Sequence, residues 1–316
     1  MKNRFILCFV GAVLWLSACN ADQNTAEDND SEIQAEQTVA KEPGTENTLP
    51  KENSSDPRFS TVPSEDGSLI FYGAEGEGDT TLMFVHCWTC NHEFWTPQIK
   101  KFSEDYQVVW LDLAGHGKSG SNRQEYTMSA FGQDVAAVVN QVATDKVVLV
   151  GHSMGGPVVM EAAKLLGDRV IGIVGVDTFY TPFEYPDSEE QIATFVQPFE
   201  EDFQATSEQL VRSMFTPAAD PAVVDSVVTQ MGDADQQMAI SALSELFEWN
   251  VQDAAQDLAK YDSKLRNING APTGQEVPLD DSVTLIPNVG HFVAQSKPDE
   301  FNQVLEDILA EFQNTP

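Results

Sequence analysis

The chain has 316 residues and a formal net charge of −33, with 50 acidic and 17 basic side chains. This charge repels nucleic acids and anionic lipid headgroups, which argues against both as binding partners. We interpret the acidic surface as one that keeps the protein soluble. The 5 histidines have no spacing typical of a metal site, so the sequence indicates no metal and no cofactor.

Residues 1–18 have the pattern of a secretory signal. Basic residues precede an apolar run at 5–16, which is too short to span a bilayer. The run leads into Leu-Ser-Ala-Cys at 16–19, which resembles the lipobox of bacterial lipoproteins. The resemblance implies cleavage before Cys19 and a lipid on its thiol. With Asn20 next, it also implies a lipid anchor in the bacterial cell envelope, at the outer membrane facing the periplasm. The alternative is an ordinary secretory signal in which Cys19 is incidental.

Residues 19–56 are predicted to form an acidic, disordered tether. The segment has almost no large apolar side chains, so it cannot bury enough surface to offset its chain entropy. Roughly 260 residues remain after it, which suits one α/β domain carrying an insertion.

Beyond the tether, strand-like and helical patterns alternate. Runs at 59–62 and 69–74, joined by a turn-rich link, predict an antiparallel hairpin at a sheet edge. Buried strands are predicted at 81–85, 107–111, 146–150, 170–176, 264–268 and 283–286, and helices at 95–102, 128–142, 157–166 and 298–312. Apolar strands that alternate with helices indicate a mostly parallel sheet with helices on both faces.

The alternation stops between 178 and 260. This stretch is helical in pattern, acidic and rich in aromatic side chains, and we predict that it is a helical cap. The core would then consist of 57–177 and 261–316. The aromatic content suggests a substrate with an apolar or aromatic group. The alternative is that most of these rings form the core of the cap itself.

The motif Gly-His-Ser-Met-Gly at 151–155 lies between a predicted strand and a predicted helix. In this context the motif indicates a nucleophile elbow, a sharp turn that exposes the hydroxyl of Ser153. The alternative is an exposed serine in an ordinary loop.

Four motifs in order resemble those of the α/β-hydrolase fold. They are Val85-His86 with Trp88 and Trp95, the segment Asp-Leu-Ala-Gly-His-Gly-Lys-Ser at 112–119, the elbow at 151–155, and Val-Gly-His-Phe at 289–292. The resemblance covers 59–312. It implies an α/β-hydrolase core with an inserted helical cap and a serine hydrolase activity.

A serine hydroxyl needs an adjacent base, and we predict that His291 supplies it. It follows the carboxyl end of the last strand and is the last candidate in the chain, as the order serine, acid, histidine requires. The other histidines have simpler interpretations. His86 and His116 resemble loop-ordering residues of this fold, His152 is the variable residue of the elbow, and His92 is expected to be exposed.

An oxyanion hole needs two backbone N–H groups. We predict that Met154, the residue after the nucleophile, provides one. The resemblance implies that the loop after the strand at 81–85 provides the other, at Trp88. Relatives usually have Gly after His86, whereas this chain has Cys87, which would narrow the hole or shift the loop.

The acid of the triad has several candidates. Most relatives carry it in a Gly-x-x-Asp pattern after the strand at 264–268, but this chain has Thr273 at that position. A minority place it one strand earlier, which corresponds to Asp177. We favour Asp177, with Glu276, Asp280 and Asp281 as alternatives.

Cys87 and Cys90 have the spacing Cys-x-x-Cys, and an exported protein meets an oxidising compartment. No thioredoxin-like order of elements surrounds them, and no second pair completes a zinc site. We favour a short disulfide within the loop. The alternative is a pair of free thiols that pack.

The sequence therefore predicts a carboxylesterase-like serine hydrolase of small apolar or aromatic esters, working through an acyl-enzyme. Ser153 in the elbow disfavours relatives that use an aspartate nucleophile, such as epoxide hydrolases. A lactonase, a carbon–carbon bond hydrolase, a cofactor-free haloperoxidase and a low-turnover ligand-binding protein are the alternatives.

Overall fold

A computed structural model describes residues 56, 58–142, 144–274 and 277–314. The predicted signal, Cys19 and the tether up to residue 55 lie outside the described residues, as does Glu276. Among the residues that are described, no helix is both long and apolar enough to cross a bilayer.

Eight strands form one sheet in the described part of the chain. They are β1 (Phe59–Pro63), β2 (Leu69–Glu75), β3 (Thr80–Val85), β4 (Gln107–Leu111), β5 (Lys146–His152), β6 (Val170–Val176), β7 (Leu265–Ala271) and β8 (Val283–Pro287). Their order is β1-β2-β4-β3-β5-β6-β7-β8. β2 pairs antiparallel with both β1 and β4, and the other neighbours are parallel. The predicted edge hairpin and mostly parallel sheet are confirmed.

Ten α-helices surround the sheet in the same described residues. They are α1 (Thr96–Phe102), α2 (Met128–Val142), α3 (Gly155–Leu166), α4 (Glu189–Glu201), α5 (Phe203–Ser213), α6 (Pro221–Gly232), α7 (Gln236–Gln252), α8 (Ala254–Tyr261), α9 (Val293–Ser296) and α10 (Pro298–Asn314). Helices α2 and α3 pack on one face of the sheet, and α1 and α10 pack on the other.

The central strands are buried on both faces because they carry apolar residues without interruption. All 6 residues of β3 are buried. Leu82 and Phe84 belong to the core under α1 and α10, whereas Met83 and Val85 belong to the core under α2 and α3. This alternation follows from the two-residue period of a strand, so one short run of sequence builds two cores.

Helices α4 to α8 lie between β6 and β7 in the chain, and we refer to them as the cap. Four of them begin at a residue whose side chain accepts a backbone N–H of the first turn: Ser188, Asp202, Asp220 and Asp235. Such N-caps satisfy donors that the helix leaves unpaired, typically for about 1 kcal/mol each. The acidic composition of this stretch therefore helps to define where its helices begin.

A polar cluster, partly open to solvent at Lys164, connects the cap to α3. Lys164 Nζ lies 2.7 Å from Glu161 Oε1 and 2.7 Å from Asp257 Oδ2. Trp249 Nε1 on α7 donates to Glu161 Oε1 over 2.7 Å. Because α3 directly follows the elbow, the cap is attached to the helix that supports Ser153.

The expectation that His92 is exposed is wrong. Only 9% of the residue is accessible, and its Nδ1 lies 2.8 Å from Asp112 Oδ1. Burial by itself raises the pKa of Asp112, but hydrogen bonds from His92 and the Lys118 N–H, with the electrostatic effect of His92 and His86, outweigh burial and leave that pKa below its usual value. A buried carboxylate needs such partners, which is why His92 is held inside.

Gly172 in β6 provides a test of this packing. A Cβ at this position would lie 2.3 Å from the ring of Phe312 on α10. We expect Gly172→Ala to lower the free energy of unfolding by about 1–3 kcal/mol, because the ring and its helix must shift. Urea unfolding of the purified chain measures this change.

Gly232→Ala in α6 is the matched control, because no atom lies within 4 Å of the added Cβ. Alanine there should stabilise the protein by about 0.4–1 kcal/mol. Equal effects of the two substitutions would contradict the packing argument.

Candidate active site

The turn between β5 and α3 presents Ser153. Its φ is 53°, in the left-handed region that non-glycine residues rarely adopt. The turn is fixed on both sides, because the Ser153 N–H donates to Val176 O over 2.9 Å and the Ser153 carbonyl accepts from Gly156 N over 2.9 Å. Strain of this kind, held by surrounding structure, is typical of a functional residue.

The two outer glycines of the motif permit the close approach of strand and helix. A Cβ on Gly151 would lie 2.2 Å from Gly155 O, and a Cβ on Gly155 would lie 2.7 Å from Val85 O. Neither distance accommodates a side chain. The elbow therefore packs against both its own helix and the end of β3.

His291 lies in the loop between β8 and α9, and its backbone is held by two other parts of the molecule. Its N–H donates to the carbonyl of Met214, in the cap, over 3.0 Å. Its carbonyl accepts from His152 Nε2 over 2.9 Å. A carbonyl only accepts, so His152 Nε2 carries the proton. The cap and the elbow thus jointly fix the position of His291.

Desolvation lowers the pKa of His291 from 6.5 to about 3, and the nearby His152 adds to this shift. The imidazole is therefore neutral at pH 7. A neutral imidazole is the form that is able to accept a proton from a serine hydroxyl.

Asp177 follows β6 directly and has a φ of 46°. Its Oδ1 accepts the Gly270 N–H over 2.6 Å, and its Oδ2 accepts the Val293 N–H over 3.4 Å. Burial raises the pKa of Asp177 well above 3.8, and these two donors only partly oppose the rise. The carboxylate consequently connects β7 with the segment that follows His291.

Among the described residues, no hydrogen bond joins the Asp177 carboxylate to the His291 ring, or that ring to the Ser153 hydroxyl. The three residues are linked through backbone contacts instead. Ser153 bonds to the carbonyl of Val176, next to Asp177, and Asp177 accepts from Val293, two residues beyond His291.

The other described carboxylates considered for the acid lie elsewhere. Asp280 Oδ1 accepts the Ser282 N–H over 2.9 Å, and this bond lowers the pKa of Asp280. Asp281 is exposed, and so is Thr273, the residue at the usual acid position. Of the candidate acids that the structure describes, Asp177 is the one that contacts the His291 loop.

The loop after β3 forms a tight turn from Cys87 to Cys90. The Cys90 N–H donates to Cys87 O over 3.2 Å, and a disulfide joins the two side chains, whose Cα atoms are 5.2 Å apart. His86 accepts the Leu113 N–H at Nε2 over 3.0 Å, so its Nδ1 carries the proton and donates to Cys87 O over 2.8 Å. His86 therefore orders the loop, as expected.

The backbone amides of Trp88 and Met154 have no hydrogen-bond partner among the residues that the structure describes. Free amides are what an oxyanion hole requires. The Trp88 side chain is anchored in the cap, where its Nε1 donates to Ala239 O on α7 over 2.7 Å. Its ring packs edge-on against Phe199 at 5.6 Å.

Sequence reasoning missed the contacts that the cap makes with this site. Met214 and Ala239 contribute only their backbone carbonyls, which carry no residue-type signature. Sequence reasoning also missed the role of His152, whose Nε2 donates to the His291 carbonyl. Within the described part of the chain, no group of three or more His, Cys, Asp or Glu residues could hold a metal ion.

Comparisons with known proteins show similarity to hydrolases of one fold. Residues 80–219 match the family described as the alpha/beta hydrolase fold. A pimeloyl-[acyl-carrier protein] methyl ester esterase from Yersinia enterocolitica is 27% identical over 265 residues, which covers 78% of this chain and 99% of that protein.

Solved structures show the same fold. An esterase from Thermogutta terrifontis has a TM-score of 0.67 and 19% identity, covering 80% of this chain and 98% of its own. A bromoperoxidase from Bacillus anthracis has a TM-score of 0.67 and 22% identity, covering 80% and 99%. The eight-stranded sheet with helices on both faces is thus the α/β-hydrolase fold.

The hydrogen bond from His152 to the His291 carbonyl leads to a prediction. We expect His152→Phe to lower kcat for p-nitrophenyl acetate by about 10-fold to 100-fold, because the ring volume is kept while the donor that positions His291 is lost. Steady-state kinetics on the purified chain measures this effect.

His152→Gln is the control, since its amide retains an N–H donor, and it should keep more of the activity than His152→Phe. Thermal unfolding of both variants separates a loss of alignment from a loss of fold. Equal kcat values in the two variants would contradict the proposed role of His152 in positioning His291.

Proposed function

We propose that this chain is a serine hydrolase of the esterase type that acts on small apolar or aromatic esters through an acyl-enzyme. The observation that carries this proposal is the strained Ser153 at a strand–helix turn, with the His291 backbone tied to that turn through His152. The esterase relative and the fold support the same activity.

In the acylation half of the reaction, Ser153 Oγ attacks the ester carbonyl carbon and His291 takes the hydroxyl proton. The carbonyl oxygen becomes an oxyanion, which the N–H groups of Met154 and Trp88 stabilise. Collapse of the tetrahedral intermediate breaks the ester C–O bond, and His291 returns the proton to the departing alcohol. The product of this half is the acyl ester of Ser153.

In the deacylation half, water attacks the acyl carbon while His291 removes a proton from it. The second tetrahedral intermediate collapses, the acid leaves, and the proton returns to Ser153 Oγ. No cofactor or metal takes part in this scheme.

Asp177 is the acid in this proposal. Desolvation makes an isolated charge on His291 costly, which its pKa of about 3 reflects. The same desolvation raises the pKa of Asp177. An imidazolium and a carboxylate stabilise each other in such an environment, so the pair favours proton transfer that neither group favours alone.

The surroundings of the oxyanion loop support the proposed substrate class. Trp88 packs against Phe199 and Phe203 of the cap, with ring centroids 5.6 Å and 6.3 Å apart. Apolar side chains on this side favour an apolar or aromatic ester over a charged one. A lactone is an internal ester and fits the same chemistry.

Substitution of the proposed triad tests this mechanism. Ser153→Ala should lower kcat for p-nitrophenyl acetate by a factor of about 10⁴ or more and abolish labelling by a fluorophosphonate probe. Asp177→Asn should lower kcat by about 10⁴, because the amide no longer stabilises the imidazolium.

Asp280→Asn and Glu276→Gln are the controls and should retain activity close to that of the wild type. A near-wild-type kcat in Asp177→Asn would contradict the assignment of Asp177 as the acid. Wild-type protein that is neither active nor labelled at Ser153 would point to a ligand-binding protein on the same fold.

We also propose that Cys19 carries a lipid that anchors the protein in the cell envelope, at the outer membrane facing the periplasm. The apolar run at 5–16 and the lipobox-like sequence at 16–19 support this. Such an anchor offsets the repulsion between a strongly acidic protein and anionic headgroups.

Mass spectrometry of the mature N-terminus tests the anchor. We expect a first residue Cys19 with added acyl mass, and a Cys19→Ala variant that leaves the detergent phase in a Triton X-114 partition. An unmodified Cys19, or cleavage at another residue, would contradict it.

A further inference from the structure

The turn from Cys87 to Cys90 contains a residue in an unfavourable conformation. The Cys87 carbonyl accepts from the Cys90 N–H, so Trp88 and Thr89 are the two central residues of the turn. Thr89 has a φ of 55°. A positive φ at the second central position is normally met by Gly or Asn, and a β-branched residue there is an outlier.

The side chain of Thr89 does not account for this conformation. The residue is 5% accessible, and its Oγ1 has no hydrogen-bond partner within the described residues. A buried hydroxyl without a partner costs free energy instead of contributing it. The left-handed backbone of Thr89 must therefore be imposed by its neighbours.

Three constraints surround the turn. The disulfide closes it covalently between Cys87 and Cys90, both of which are buried. His86 Nδ1 donates to the Cys87 carbonyl at its start. The Trp88 indole is held by the Ala239 carbonyl of the cap. Only the disulfide spans Thr89 covalently, alongside the hydrogen bond from the Cys90 N–H to the Cys87 carbonyl.

The elbow limits how this loop is able to relax. A Cβ on Gly155 would lie 2.7 Å from Val85 O and 2.8 Å from His86 O, so the start of the loop lies directly against α3. A change of φ at Thr89 would consequently displace residues of the turn itself and not the residues before it. The backbone of Trp88 lies within the turn, so its N–H group would move.

We propose that the Cys87–Cys90 disulfide is a positioning device for the oxyanion hole, which keeps Thr89 left-handed and the Trp88 N–H in place beside that of Met154. The proposal rests on the function proposed above, in which Trp88 supplies the second donor. The bridge takes the place of glycine in a loop that has none between Val85 and Cys90.

The experiment compares three variants of the full-length chain. In Cys87→Ala/Cys90→Ala, we expect kcat for p-nitrophenyl acetate to fall by about 10-fold to 100-fold with little change in KM, because an oxyanion donor acts mainly in the transition state. Thr89→Gly with the disulfide intact is the reference that measures the effect of glycine by itself. The triple variant should regain most of the lost kcat, because glycine adopts the left-handed conformation without the bridge.

Asn288→Gly in the double-cysteine variant is the matched control. Asn288 also has a positive φ, 58°, but lies outside the turn, so glycine there should not restore kcat. Recovery in both would mean that glycine acts through general stability. Thermal unfolding of each variant accompanies the kinetics.

Three results would overturn the proposal. They are wild-type kcat in the double-cysteine variant, a triple variant no faster than the double one, and alkylation of both thiols in native protein without a reductant. If the double-cysteine variant does not fold, the triple variant alone tests the proposal, and a triple variant that folds but has a low kcat would contradict the proposal. Ser153→Ala distinguishes the two proposals, because near-wild-type activity in that variant would contradict the serine mechanism, whereas the results above contradict only the role of the disulfide.

Discussion

The site depends on how closely the elbow packs against the strands beside it. The Ser153 N–H bonds to Val176 O over 2.9 Å, and Gly155 approaches Val85 O so closely that no side chain fits. These contacts bring together the ends of β3, β5 and β6, which are neighbours in the sheet. Parallel strands end at the same edge, so their loops converge there. The loop after β3 contains the turn at Cys87, the loop after β5 contains Ser153, and the loop after β6 begins with Asp177. Their proximity is therefore a consequence of backbone packing.

The cap contacts the candidate site directly. The Met214 carbonyl holds the His291 backbone, and the Ala239 carbonyl holds the Trp88 indole. The cluster around Lys164 ties the cap to the helix that follows the elbow. A displacement of the cap would therefore disturb the histidine and the proposed oxyanion loop together. If these residues form the site as proposed, we expect activity to depend on the position of the cap even for a substrate too small to contact it.

Most of the fold could be predicted because local patterns determine it. Each buried strand is an unbroken apolar run, and the elbow is a contiguous motif around Ser153. The contacts of the cap with the site could not be predicted, because Met214 contributes a carbonyl that every residue has. His92 was placed wrongly because its partner, the buried Asp112, lies 20 residues away. Asp177 could be favoured from the absence of an acid at the usual position and from the minority of relatives that place it one strand earlier, but its hydrogen bonds could not be predicted, since they go to backbone groups.

The electrostatics of the site explain why two costly buried groups are useful together. Desolvation raises the pKa of Asp177 and lowers that of His291 to about 3, so each group resists its charged form. The N–H groups of Gly270 and Val293 oppose protonation of the carboxylate in the resting protein. In the proposed mechanism, the attraction between the Asp177 carboxylate and the His291 imidazolium arises only when the serine proton reaches His291. An interaction that is stronger in the transition state than in the ground state is what lowers the barrier. In this proposal, burial makes the charged forms of Asp177 and His291 unfavourable in the resting protein, and it strengthens their attraction during the reaction.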